Sequence, residues 1–291
     1  MEPFAYTAPE SSPGLFMLTP FMTRFPRLTA GMTARTGGVS EEPYGTLNCG
    51  LHVGDRSEAV ITNRERVAGA LGTELSSWVY GEQVHGNRVA ILGPAELGRG
   101  TRERETELPA TDAFITRTPG LILAALFADC VPLYFYDPVH EAVGLAHAGW
   151  KGTAARIAAR TVEAMEQAFG TNPADLLAAI GPSIGSCCYE VDEGVLGPIR
   201  EALGMTREAL AACESNPLYE EREDGKARLD LQQVNRQIMI KAGILPASIE
   251  VTERCTQCSP DLLFSYRRDG GRTGRMQAWI GLLPEGGSSN H

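Results

Sequence analysis

The sequence predicts a mixed α/β (α+β) domain, with β-sheets of mixed strand direction flanked by helices. Three observations lead there. Residues 111–148 hold successive apolar runs, TDAFIT, LILAALFADC, VPLYFY and AVGLAHA, separated by turn signals. Helical periodicity follows in GTAARIAARTVEAMEQAFG and returns in RLDLQQVNRQIMIKAG. The two kinds of element do not alternate regularly, which argues against a doubly wound parallel sheet.

Taken in order, a Pro-Gly turn at 119–120 separates the first two apolar strands. VPLYFY and AVGLAHA, joined by the five-residue DPVHE, read as a hairpin. Pairing Tyr136 with Ala142 sets His147 opposite Val131, and a one-residue shift or a bulge would bring His147 level with Cys130. Pro132 cannot donate to a ladder, so it marks a bulge or an edge. Directly opposite residues lie about 4.5–5.5 Å apart at Cβ, so Cys130 and His147 are expected to share one site. The helix that follows takes Thr153 as its N-cap, Ile157, Val162 and Met165 on its inner face, and Gly170 as its stop. LLAAIGPSIG reads as a strand running into a Gly/Pro loop, and SIEVTERC as a late strand. The polar segment 98–112 reads as an exposed loop before a buried strand. Residues 1–14 and 286–291, rich in Pro, Ser and Gly, are expected to be loose, which leaves 15–285 as one catalytic domain.

Composition excludes several classes. The chain has 291 residues, 43% hydrophobic and 21% charged, enough to bury a core without disulfides. Its net charge of −10 disfavours nucleic acid and anionic membrane surfaces as partners, and no run of Lys and Arg offsets it. The longest apolar stretch, Leu121 to Ala128, falls far short of the roughly 20 residues of a spanning helix. The N-terminus lacks the basic region and continuous apolar segment of a signal peptide, so a cytoplasmic protein is expected. The absence of heptads favours a monomer. The seven cysteines are then expected to be thiols, ligands or nucleophiles.

Cys130 beside His147 admits three readings: core filler, a thiolate nucleophile with its base, or two ligands of one metal. A zinc site needs a third ligand, and the chain offers five histidines. His291 lies in the tail, His140 in the hairpin turn and His52 in a Gly-rich loop. His85 precedes Gly86 and an apolar strand, where a functional side chain is often found. His85, Cys130 and His147 then suit Zn²⁺ or copper, with a water completing the tetrahedron. Cys255 and Cys258 form a lone CxxC and are read as no metal site. Cys187 and Cys188, which pair poorly as neighbours, are read as packing or pocket lining. Arg35 and Arg267, both beside Gly-rich turns, are candidate anion holders.

TARTGGVSEEPYGTLNCGLHVGD, NR at 63–64, QVHG at 83–86, TDA at 111–113, ADCVP at 128–132, HAGWKGT at 147–153, IGPSIGSCCYEV at 180–191 and CTQCSPDLLFSYRRDGGRTGR at 255–275 occur in this order. This pattern resembles the YfiH/laccase-domain family, also called the multicopper polyphenol oxidase or purine nucleoside phosphorylase family, over roughly residues 30–283. The resemblance implies a single mixed α/β domain of YfiH type, unlike the cupredoxin fold. It implies metal ligation by His85, Cys130 and His147, with Zn²⁺ favoured over copper. The implied activity is phosphorolysis of adenosine, inosine and methylthioadenosine, with hydrolytic deamination of adenosine; the implied partners are a purine nucleoside and phosphate. Asp129 is then the candidate proton shuttle, although its neighbourhood to Cys130 on a strand would turn it the other way. Asn48 is a candidate for ribose or base binding, and Arg35 and Arg267 for phosphate. A copper polyphenol oxidase, a metal-free Cys-His hydrolase and a peptidoglycan-precursor editing factor are the alternatives.

Overall fold

The computed structural model describes residues 2–10, 12–206, 218–222 and 225–284; Cys213, His291 and the tail 286–291 lie outside them. Among the described residues the strands form three sheets. In the first, neighbours run β1 (Phe4–Thr7), β2 (Leu15–Leu18), β3 (Leu28–Thr33), β15 (Met276–Leu282), β7 (Ile122–Phe127) and β4 (Trp78–Val79). In the second they run β14 (Ile249–Val251), β10 (Leu177–Ile180), β8 (Val131–Asp137), β9 (Ala142–Ala148), β6 (Ala113–Thr116) and β5 (Val89–Ile91). A small third sheet joins β11 (Glu190–Val191), β13 (Ala227–Leu229) and β12 (Tyr219–Glu221). Both large sheets are mixed: β4–β7, β10–β14 and β5–β6 pair in parallel, the other neighbours antiparallel.

The helices are α1 (Thr19–Arg24), α2 (Ser57–Ala70), α3 (Trp150–Ala154), α4 (Ile157–Phe169), α5 (Glu193–Leu203) and α6 (Leu231–Lys241). No described helix is long and apolar enough to cross a membrane. Strand alternation explains the layering. Phe16, Leu123, Ala125 and Phe127 of the first sheet meet Tyr134, Tyr136, Val143 and Leu145 of the second in one buried layer. The opposite face of β8, with Val131, Leu133 and Phe135, packs on Ile157, Val162 and Met165 of α4 and on Val234 and Ile238 of α6. Val67 and Ala68 of α2 cover Trp78 and Trp279 on the outer face of the first sheet. The molecule is therefore a mixed α/β domain of two packed sheets with helices outside.

Several sequence expectations need correction. The hairpin is one residue tighter than expected: Asp137 joins β8 opposite Ala142, so His147 lies opposite Pro132, not Val131. The cause is the Asp137 carboxylate, which accepts from the backbone N–H groups of Val139 and His140 and thereby caps the turn from the strand end. The helix expected from Thr153 breaks in two, because Arg156 adopts φ 59° between α3 and α4. Thr153 lies inside α3, not at its cap, and accepts from Asn235 Nδ2 at 3.0 Å. Gly170 does end α4 in the left-handed conformation. The N-terminal segment is not wholly loose: β1 pairs with β2 and buries Phe4 completely.

The NR pair at 63–64 organises the loop 39–55 from α2. Asn63 Nδ2 donates to the Thr46 and Asn48 carbonyls. Arg64, fully buried, donates to the carbonyls of Cys49, Gly100 and Thr101 and stacks on Tyr80 at 3.9 Å. Arg64→Met would leave three buried carbonyls unpaired, at roughly 1 kcal/mol or more each. A loss of about 3 kcal/mol is expected in urea unfolding; an unchanged midpoint would contradict this account of the loop.

Candidate metal centre

The site lies where the two large sheets meet, at the ends of β7 and β9 and the start of β8. His147 occupies the penultimate position of β9 and, by alternation with Val143 and Leu145, faces the other sheet. It is buried, with its ring 5.4 Å from that of Phe127. Cys130 sits one residue before β8, after a turn in which Asp129 takes φ 92°. The turn, not the ladder, aims the thiol. His85 comes from a loop that Gln83 staples to β7: Gln83 Nε2 donates to the Leu126 carbonyl, and Leu126 N–H donates to Gln83 Oε1, at 2.9 and 2.8 Å.

These elements bring His85, Cys130 and His147 together, with one nitrogen or sulfur of each within 4.8 Å of the others. Cys130 Sγ lies 3.9 Å from His85 Nε2, and the two imidazoles meet edge to face at 4.8 Å. Burial grades from exposed His85 through Cys130 to buried His147, so the cradle opens on one side. Gly149 forms its floor. A Cβ there would stand 2.8 Å from His85 Cδ2 and 3.0 Å from Cys130 Sγ, so any side chain at this position would fill the cradle. Two imidazoles and a thiol around a space kept clear by a glycine fit a single Zn²⁺ or copper ion with an open position.

Asp112 organises the cradle, and sequence reasoning gave it no role. Its carboxylate accepts from His147 Nδ1 at 2.9 Å and from the backbone N–H groups of Val84, His85 and Gly86. One buried carboxylate thus fixes both histidines. It orients the His147 ring so that Nε2 faces Cys130, and it holds the strained turn at His85, φ 60°. Burial would raise the Asp112 pKa, but the His147 hydrogen bond and charge and these N–H groups lower it, so it stays ionised. The signal was present as TDA at the mouth of β6.

The electrostatics follow from the same contacts. Burial alone would push the Cys130 thiol up; His147, then His85, outweigh it and bring it down to about 6. Burial alone would lower His147; Cys130 and Asp112 outweigh it and bring it up to about 9. Without metal the pair is therefore thiolate and imidazolium near neutrality. Alkylation of Cys130 by iodoacetamide in metal-stripped protein should be lost as pH falls through about 6, and should move to higher pH in His147→Ala. Half-maximal reaction near the ordinary thiol value in the unsubstituted chain would contradict the pairing.

The other expected site residues fare differently. Asp129 is turned away from the cradle: Oδ1 accepts from Thr256 Oγ1 at 2.6 Å and Oδ2 from Arg267 N–H at 2.7 Å. It pins a loop and is badly placed as a proton shuttle. Asn48 is fully buried and spent on Gly50, Asp55 and the Arg275 N–H. Arg35 donates from all three guanidinium nitrogens to the carbonyls of Gly45 and Pro260. Both brace loops, and Asn48 has no exposed surface. Arg267 is exposed, donates once to the Glu190 carbonyl and lies over the Tyr189 ring at 5.2 Å. Arg275, which ends the motif at 255–275, was missed. It is partly buried, its backbone N–H donates to Asn48 Oδ1 and its guanidinium lies over the Tyr266 ring at 5.6 Å; burial lowers its pKa, and the charge of Cys130 opposes that. His52 is held down to about 4 by burial and by Arg275, so it is neutral at pH 7.

Residues 29–283 match the family described as multi-copper polyphenol oxidoreductase laccase. The chain belongs to that family. A relative from Bacillus subtilis, called purine nucleoside phosphorylase YlmD, is 44% identical over 253 residues, which are 87% of this chain and 88% of its own. A purine nucleoside phosphorylase from Deinococcus radiodurans is 39% identical over 277 residues, 94% of this chain and 95% of its own. The crystal structure of YlmD from Geobacillus stearothermophilus superposes with a TM-score of 0.89 at 40% identity, covering 98% of this chain and 100% of that one. The hypothetical protein YfiH of Bacillus licheniformis gives 0.86 at 44% identity, over 95% and 98%. At these identities the agreement extends to the fold as a whole and confirms the YfiH-type architecture.

Proposed function

We propose that the chain is a metal-dependent purine nucleoside phosphorylase that also deaminates adenosine by hydrolysis. The observation that carries this is the cradle of His85, Cys130 and His147, floored by Gly149, in a chain whose relatives bear the phosphorylase name. These three residues would hold the ion, with Zn²⁺ favoured by the two-imidazole, one-thiolate set. Bound there, Zn²⁺ would supply Lewis acidity towards the purine ring and activate water at neutral pH.

The chain's own groups account for the rest. In phosphorolysis an oxygen of phosphate attacks C1′ of the ribose, and the bond from C1′ to the purine nitrogen breaks with its electron pair moving onto the base. The dianion needs a cationic holder. Arg275 has its Nε and Nη2 without a hydrogen-bond partner among the described residues, since only Nη1 donates, to the carbonyls of Thr273 and Gly274. Arg267 adds a second guanidinium at the rim. Asp112 keeps His147 in one orientation throughout. The family description would favour a copper oxidase, but two imidazoles and one thiolate suit a single ion better than a multi-copper cluster.

The test is product analysis from adenosine with and without inorganic phosphate. Adenine and ribose 1-phosphate are expected only with phosphate, and inosine with ammonia in either case. Arg275→Gln should raise the KM for phosphate about 10-fold, the equivalent of one lost charge-assisted hydrogen bond, and leave deamination nearly unchanged. Oxidation of phenols without either nucleoside product would overturn the reading.

A further inference from the structure

Two pairs of cysteines, read from the sequence as unrelated, form one cluster. The cause is topological. Strands β10 and β14 are parallel neighbours, so the loops leaving their C-terminal ends emerge side by side. Pairing continues beyond the strands: Ser183 bridges to Cys255, and Thr256 N–H donates to the Ser183 carbonyl at 2.9 Å. The first loop carries Cys187 and Cys188, the second Cys255 and Cys258. All four sulfurs lie within 4.8 Å of one another.

The spacing matches one chemistry well. A tetrahedron of thiolates about 2.3 Å from Zn²⁺ has edges of about 3.8 Å; Cys258 Sγ lies 3.6 Å from that of Cys187 and 3.4 Å from that of Cys188. A disulfide needs about 2.05 Å. Packing explains only half of the cluster: Cys255 belongs to the core and Cys188 packs against it, but Cys187 and Cys258 are exposed, whereas cysteines that fill cores are buried. Gly185 N–H donates to Cys255 Sγ at 3.3 Å, as a backbone group does beside a ligating sulfur. A Cβ at Gly185 would stand 3.3 Å from Cys187 Sγ, so glycine allows this close approach. An iron–sulfur cluster of several irons would hold its thiolates farther apart than this compact set does.

We propose that Cys187, Cys188, Cys255 and Cys258 form a closed structural zinc site, separate from the His85–Cys130–His147 centre. Binding displaces four thiol protons and changes no oxidation state. The site ties the loop after β10 to the loop after β14. Thr256, next to Cys255, bonds the Asp129 carboxylate, whose other oxygen accepts the Arg267 N–H, and Asp129 adjoins Cys130. The tetrathiolate thereby braces the wall behind the first centre.

The test is metal content of tag-free, reduced protein by plasma mass spectrometry. Cys130→Ala, impaired at the first centre, should retain one zinc per chain, and Cys130→Ala combined with Cys258→Ser should retain none. Should the double variant fail to fold, the single variant still decides. Stripped of metal, Cys130→Ala should take up one Co²⁺ with the charge-transfer absorption of a tetrathiolate, and four thiols should become unreactive towards a disulfide reagent as it binds. Zinc-free Cys130→Ala whose thiols react equally with and without Zn²⁺ or Co²⁺ would overturn the proposal. So would a Cys258 disulfide to Cys187 or Cys188 in the peptide map of protein purified with reductant. Loss of metal dependence on Cys130 alone would instead count against the first centre, so the two failures are distinguishable.

Discussion

Replacing Cys130 with alanine is expected to lower adenosine phosphorolysis and deamination by about 10³-fold or more, with little change in thermal stability. The magnitude follows from the several kcal/mol of charge stabilisation that a catalytic metal supplies, since about 4 kcal/mol corresponds to about 10³ in rate. The small effect on stability follows from position. Cys130 lies in the turn before β8, partly open to solvent, and packs only from the margin on the buried layer between the sheets. Steady-state turnover and a thermal melt on the same preparation check both halves. Turnover equal to that of the unsubstituted chain would contradict the metal-centred account.

Asp112→Asn is expected to weaken metal binding at this centre by about 10–100-fold, the usual cost of removing a carboxylate that orients a ligating histidine. The amide keeps the shape but turns a donor towards a ring of donors, the N–H groups of Val84, His85 and Gly86 and His147 Nδ1. It also removes the charge that helps hold His147 in one tautomer. Competition with a chromophoric chelator measures the affinity. Gln83 and the β7 ladder remain intact, so the variant should fold, although with lower stability. Unchanged zinc affinity would show that the three ligands hold their geometry without Asp112.

The two large effects rest on residues of unequal visibility in the sequence. Cys130 and His147 announce themselves because a hairpin must bring the start of one strand near the end of the next. Even so, the pairing slipped by one residue, since the capping power of Asp137 counts as a turn feature in the sequence and as a strand end in three dimensions. His85 was legible through Gly86 and the QVHG motif. Asp112 was not, because its role depends on where a backbone loop distant in sequence presents three N–H groups. Arg35 and Asn48 show the converse: a residue type suited to substrate can be consumed by the loop around it. The four cysteines stayed hidden because parallel pairing of β10 and β14, which sequence periodicity does not specify, is what brings the two loops together.

The most direct test of the central claim is the phosphate-dependent release of adenine from adenosine by protein stripped of metal, before and after zinc is returned. The account predicts almost no adenine from the stripped chain, recovery on addition of Zn²⁺, and no recovery when the stripped chain carries Cys130→Ala. Full adenine release by the stripped chain, or recovery that ignores Cys130, would contradict it.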